Sequence, residues 1–153
     1  MYGLACFTGM RAHYNDQDDS LYIFRPEAHY QRFLFQCKLM RYDNFLRDYS
    51  YDRFLSIIKE LLRVNKMKQD TYIRITNFSD ENKVTPKFID YGDSLCMFLY
   101  PIGDYVPTTG MRCKVSSWQR ISDNSIPARG KINGGYVNTA FAKTEALLDG
   151  YDE

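Results

Sequence analysis

Lys131 is the residue of this sequence whose setting most suggests covalent chemistry. It sits in Pro127-Ala128-Arg129-Gly130-Lys131-Ile132-Asn133-Gly134-Gly135-Tyr136-Val137-Asn138, with glycines on both sides and a tyrosine close behind. Gly130, Gly134 and Gly135 would let the backbone turn sharply and let a bulky ligand approach it. Lys131 is therefore expected at a bend and not along a solvated helix face. A lysine amine is a nucleophile only after losing its proton, which burial or a neighbouring cation promotes. The plainer alternative is a surface lysine in a glycine loop.

A second group lies in Thr71-Tyr72-Ile73-Arg74-Ile75-Thr76. In a strand, side chains alternate between faces, so Tyr72, Arg74 and Thr76 share one side while Ile73 and Ile75 share the other. A phenol and a guanidinium opposite two isoleucines belong either to solvent or to a polar site. Leu4 to Tyr14 and Leu21-Tyr22-Ile23-Phe24, joined by the polar turn Asn15 to Ser20, predict a hairpin that carries Phe7. Pro26 suits a first helical turn, and Tyr30, Phe33, Leu34 and Cys37 form one helical face. Arg32 falls roughly opposite that stripe and is expected to point away from what the helix packs on. His29 is read as structural. Ser50 is placed to cap a second helix whose core face is Phe54, Ile57, Ile58, Leu61 and Leu62. Ser94 to Tyr100 reads as a buried strand stopped by Pro101, and Met111 to Trp118 as another strand. Ile102 to Gly110 reads as a loop. Val137, Ala140, Phe141 and Leu148 make one face of a last helix ended by Gly150.

Val115-Ser116-Ser117-Trp118-Gln119-Arg120, Ile126-Pro127, Lys131, Gly135-Tyr136-Val137-Asn138, Ala142-Lys143-Thr144-Glu145-Ala146 and Gly150-Tyr151 together resemble the class IV (fold type IV) pyridoxal-phosphate aminotransferases. Within that family the chain is most similar to the branched-chain amino acid aminotransferases, and the resemblance runs from Tyr2 to Glu153. It implies that Lys131 forms the internal aldimine with pyridoxal 5'-phosphate and acts as the base, and that Tyr136 bonds the cofactor's phenolic oxygen. Phe24 to Arg32 is similar to the segment whose last arginine, here Arg32, binds the cofactor phosphate, a task that suits a permanently charged fork of donors. By the same resemblance Tyr2 and Phe7 line the substrate side-chain pocket. Tyr72 helps hold the substrate carboxylate, and Arg74 accommodates the second carboxylate of glutamate. Thr8 stands where the family usually has glutamate.

The fold class the resemblance implies is α+β. An N-terminal domain, 1–121, would hold a mixed or antiparallel sheet with two flanking helices and lack its first strands. A connector, 122–130, and the start of a cofactor-binding domain, 131–153, would follow. The implied reaction moves an amino group from leucine, isoleucine or valine to 2-oxoglutarate, in a homodimer or higher homo-oligomer when full length. The family's glutamate partner of the pyridine nitrogen would lie beyond Glu153, so the chain is expected to be an incomplete portion, inactive alone. Two alternatives stay open: a D-amino acid aminotransferase or aminodeoxychorismate lyase of the same class, and a non-catalytic fragment that only binds or regulates a partner.

Composition bounds the partners. The chain has 153 residues, with 20 Lys and Arg against 19 Asp and Glu, so no nucleic-acid footprint is indicated. Cys6, Cys37, Cys96 and Cys113 lack CxxC spacing and are expected to be reduced, buried small hydrophobes, with no metal site. No run is long and apolar enough to span a bilayer, and no signal-peptide pattern is present. A cytoplasmic protein is the expectation.

Overall fold

The computed structural model describes residues 2–104 and 106–153. Strand β1 (Ala5–Asn15) turns at Asp16 to Asp19 into β2 (Ser20–Ile23), giving the expected antiparallel hairpin with His13 opposite Tyr22. Helix α1 (Pro26–Leu39) follows, then a short α2 (Asp43–Asp48) and α3 (Tyr51–Val64). Pro26 opens α1, and the Ser50 hydroxyl caps α3 by accepting from the Arg53 N–H at 3.3 Å. Strands β3 (Thr71–Ser79) and β4 (Asp93–Pro101) complete a four-stranded sheet in the order β2-β1-β3-β4. Every pairing is antiparallel, so the sheet is not mixed.

Alternation along β1 and β3 decides which face does what. Cys6, Met10, Ala12, Ile73 and Ile75 point into a core with Phe33 and Cys37 of α1, Phe45 of α2 and Phe54 and Ile58 of α3. The helices therefore cover this face. Burial of each such phenylalanine or isoleucine contributes about 1.5–3 kcal/mol. Phe33 meets Phe45 edge-on with ring centroids 5.0 Å apart, a contact that ties α1 to α2. Among the described residues, α1, α2 and α3 leave the opposite face uncovered. It carries Phe7, Arg11, Tyr72, Arg74, Thr76, Phe98 and Tyr100.

Several expectations are corrected. The sheet is flanked by three helices and not two; six-residue α2 is too short to show a helical period. Strand β4 is an edge strand and not a buried one, because Leu95, Met97 and Leu99 pack on the core while Cys96, Phe98 and Tyr100 are exposed on the other face. Met111 to Trp118 forms no strand. Its polar groups turn instead to the chain end and α4 (Tyr136–Leu148): the Lys114 N–H donates to the Glu153 carbonyl at 3.0 Å, and the Ser117 N–H to the Glu145 carboxylate at 3.1 Å. Cys6 and Cys37 are buried as expected, whereas Cys96 and Cys113 are exposed on the edge strand and on this unpaired segment. Among the described residues no helix is long and apolar enough to cross a membrane, and no group of side chains has a metal-ligand arrangement.

Candidate active site

Ile132 carries Lys131 to the sheet. The free edge of β1 at Cys6 bridges Ile132 in antiparallel fashion, and the Phe7 N–H donates to the Lys131 carbonyl at 3.2 Å. Lys131 itself adopts left-handed backbone angles, φ 43° and ψ 45°. Side chains are uncommon in that region, though Asp19, Arg25, Arg41, Lys66 and Asp90 share it, so here the angles fix the direction of Lys131 and do not by themselves mark a site. The flanking glycines do less turning than expected, since Gly130, Gly134 and Gly135 are not in the left-handed region. Gly130 is tightly packed: a Cβ there would come within 2.9 Å of Leu39 and 3.0 Å of Ile132, so those side chains would have to shift. The bend belongs to the lysine.

That bend directs the amine to two aromatic rings. Lys131 Nζ donates to Tyr136 Oη at 2.7 Å and lies 4.6 Å from the centre of the Phe7 ring. Arg74 places its guanidinium carbon 3.4 Å from the centre of the same ring, and Phe7 packs tilted against Tyr136 at 4.8 Å. One aromatic plate thus serves two cations, an arrangement that fixes them without neutralising either. Around them opens a cavity of about 940 Å³, walled by Phe7, Arg11, Tyr72, Arg74, Phe98 and Tyr136 among others.

Of the residues singled out in the sequence, Lys131, Tyr136, Phe7, Tyr72 and Arg74 all line this cavity. Tyr2 lines a neighbouring one of about 350 Å³ that shares Thr76 and Asn133 with it. Its hydroxyl donates to the Val84 carbonyl at 2.7 Å. Arg32 stands on the helix side of β1. It does not point away from what α1 packs on: it reaches back to the sheet, donating to the buried Thr8 hydroxyl at 2.5 Å and to His29 Nδ1 at 3.1 Å. Helical angle alone misplaces it, because a long side chain can fold along its own helix to a strand it does not face. Since arginine only donates, His29 Nδ1 must accept, which requires a neutral ring. Burial first, then the charges of Arg32 and Arg25, hold the His29 imidazole below its usual range.

Phe98, Tyr100 and Ile102, which the sequence marks only as strand and loop, also line the cavity, and two polar residues there, Arg11 and Asn133, escape the sequence reading. Arg11 shares the face of Phe7, and counting by twos along β1 would have found it; its guanidinium donates to the Gly103 carbonyl at 3.2 Å. Asn133 lines both cavities, and its Oδ1 is buried with no hydrogen-bond partner among the described residues. No sequence signal marked it, because its direction is set by the turn after Lys131.

The amino-transferase class IV family model matches residues 5–153. The chain belongs to the class IV aminotransferases. It is 44% identical, over 99% of its length, to a probable branched-chain-amino-acid aminotransferase of Aquifex aeolicus, and covers 48% of that protein. Among solved structures, the branched-chain aminotransferase of Thermoproteus uzoniensis with norvaline matches 99% of this chain with TM-score 0.91 and 31% identity, half of that chain being covered (50%). The branched-chain amino acid aminotransferase of Thermobaculum terrenum in its PLP form matches 99% of this chain with TM-score 0.87 and 27% identity, over 48% of that chain. The chain spans about half the length of the curated relatives it matches.

Proposed function

We propose that the protein containing this chain transfers an amino group from leucine, isoleucine or valine to 2-oxoglutarate with pyridoxal 5'-phosphate, and that this chain supplies the lysine and the substrate-facing wall. The observation that carries the reading is the 2.7 Å contact between the Lys131 amine and the Tyr136 phenol on the wall of a cavity that Arg74 also lines.

Each donor's chemistry suits one group of the cofactor, with Lys131 and Tyr136 on the cavity and Arg32 on the helix side of β1. An amine suits its aldehyde, a phenol beside that amine suits its ring oxygen, and a guanidinium held by two neutral acceptors has its charge available for a phosphate. Lys131, Tyr136 and Arg32 are the residues we assign to hold it. When bound, pyridoxal phosphate supplies the electron sink that makes the substrate α-carbon acidic. The Lys131 Nζ, in its neutral form, is the base that takes up the α-proton, and Tyr136 Oη keeps that nitrogen in place. Tyr72 and Arg74 offer a phenol and a guanidinium from adjacent positions on one face of β3, which suits a carboxylate. Phe7, with Tyr2 from the neighbouring cavity, offers apolar surface to a branched side chain. We assign residues 1–121 to an N-terminal domain, 122–130 to a connector and 131–153 to the start of a second domain, and propose a homodimer in the cytoplasm.

Borohydride reduction with pyridoxal phosphate, followed by peptide mapping, should fix the cofactor's mass on Lys131, and Lys131→Ala should abolish the label. A label at another lysine, or none, would refute the assignment. Comparing L-leucine, D-alanine and aminodeoxychorismate as substrates of the intact protein then separates this reading from the two other class IV activities.

A further inference from the structure

Gly9 lies between Phe7 and Arg11 on the cavity face of β1, with Arg74 as its register partner on β3. Glycine weakens a strand interior and needs a reason there. The backbone offers none, since Gly9 is not among the residues with positive φ. Space does. A Cβ built on Gly9 would lie inside the phenol of Tyr72, 2.7 Å from Cε2 and closer still to Cζ and Oη.

Tyr72 pairs in register with Arg11, yet its ring leans diagonally across the sheet onto Gly9. Arg74 leans the same way, from its register partner Gly9 onto Phe7. The two β3 side chains are therefore stepped along β1 in parallel, the phenol over position 9 and the guanidinium over position 7. Arg11 is left clear to reach the Gly103 carbonyl.

We infer that Gly9 is a positioning residue: by lacking a Cβ it lets the Tyr72 phenol lie flat on β1, and so sets where that hydroxyl stands beside Arg74 for a ligand carboxylate. The carboxylate half of this rests on the function proposed above. A methyl group at position 9 forces the ring upright into the cavity. Because the colliding atoms are the outer end of a side chain that can rotate, Gly9→Ala should still fold.

The test is a double-mutant cycle in the intact, cofactor-loaded protein, with 4-methylvalerate as an unreactive carboxylate probe followed by calorimetry. Tyrosine ring resonances report where residue 72 sits. Gly9→Ala should shift the Tyr72 ring signals and weaken probe binding about tenfold, while in a Tyr72→Ala background the same change should alter binding less than about twofold. Equal losses in both backgrounds, or unmoved Tyr72 signals, would overturn the inference. If Gly9→Ala moves the ring and stays coupled to Tyr72, but Tyr72→Phe binds the probe as the parent does, positioning by Gly9 stands and the carboxylate role of the phenol falls.

Discussion

The guanidinium of Arg32 rests on a buried hydroxyl and a neutral imidazole, so its charge is oriented without being cancelled. The arrangement couples His29 to pH. Its imidazole is held below the ordinary value of 6.5, first by burial and then by Arg32 and Arg25, so the unfolded chain takes up a proton that the folded one resists. This contribution to stability is whole above the unfolded value of 6.5 and erodes as pH falls below it. The His29 ring should titrate in NMR with a midpoint under 6.5, and Arg32→Gln should move that midpoint upward. A midpoint that Arg32→Gln leaves in place would mean that the guanidinium does not act on the ring. The motif around Arg32 could be read in the sequence; its seat could not, because Thr8 and His29 belong to different elements that meet only when α1 packs on β1.

At the scale of elements, Asp93 holds the sheet to the helical layer. Its buried carboxylate accepts from the backbone N–H groups of Asn44 at 2.9 Å and Phe45 at 3.1 Å, and from the Asn77 side chain at 2.7 Å. One group thus caps α2 and joins it to β3 and β4. Replacing it with alanine leaves the buried Phe45 N–H and Asn77 amide, and the half-buried Asn44 N–H, unpaired, so Asp93→Ala should cost about 2–4 kcal/mol in urea unfolding. Exposed Asp16→Ala, by contrast, should change stability by less than about 0.5 kcal/mol. Glu145 plays the matching part on α4. The Ser116 hydroxyl, above all, and then Lys114 and the Ser117 N–H hold its carboxyl down at about 2. A depressed carboxyl contributes stability above its ordinary value, 4.5, and loses it as pH falls toward 2. The protection factor of the Ser117 amide, its exchange rate relative to the unfolded chain at the same pH, should therefore fall on acidification through that window in the parent, and be low already at neutral pH in Glu145→Gln. In Met111 to Trp118, which the sequence predicts as a strand and which forms none, the Lys114 and Ser117 N–H groups donate to Glu153 and Glu145 and not to a neighbouring strand.

For the whole molecule, the two faces of the sheet divide the work. Three helices bury one face, and the other is left to the cavity. The final helix has no comparable cover: Val137 is 59% exposed, Phe141 50% and Leu148 82%. Trp118 stacks on Phe141 at 4.7 Å, which shields part of that ring only. Contiguous exposed apolar surface favours association. The isolated polypeptide should self-associate in sedimentation experiments, and Val137→Lys with Leu148→Lys should shift it toward monomer. Unchanged sedimentation would show that this face is not the adhesive one.

The sequence alone determined what local rules govern. Alternation assigned Tyr72, Arg74 and Thr76 to one face, the helical stripe through Tyr30, Phe33 and Cys37 assigned α1 its core side, and the residues around Lys131 carried the family resemblance. These are properties of spacing along a chain, and spacing survives without a fold. Tertiary structure decided the rest. It gave the left-handed turn to Lys131 itself, set the Phe7 ring against both Arg74 and the lysine, and put Asn133 on the cavity wall. It also bent Arg32 back to Thr8 and laid Tyr72 over Gly9. Each of these depends on strands or helices distant in sequence approaching within a few ångströms, and no periodicity records which side chain will yield when they meet.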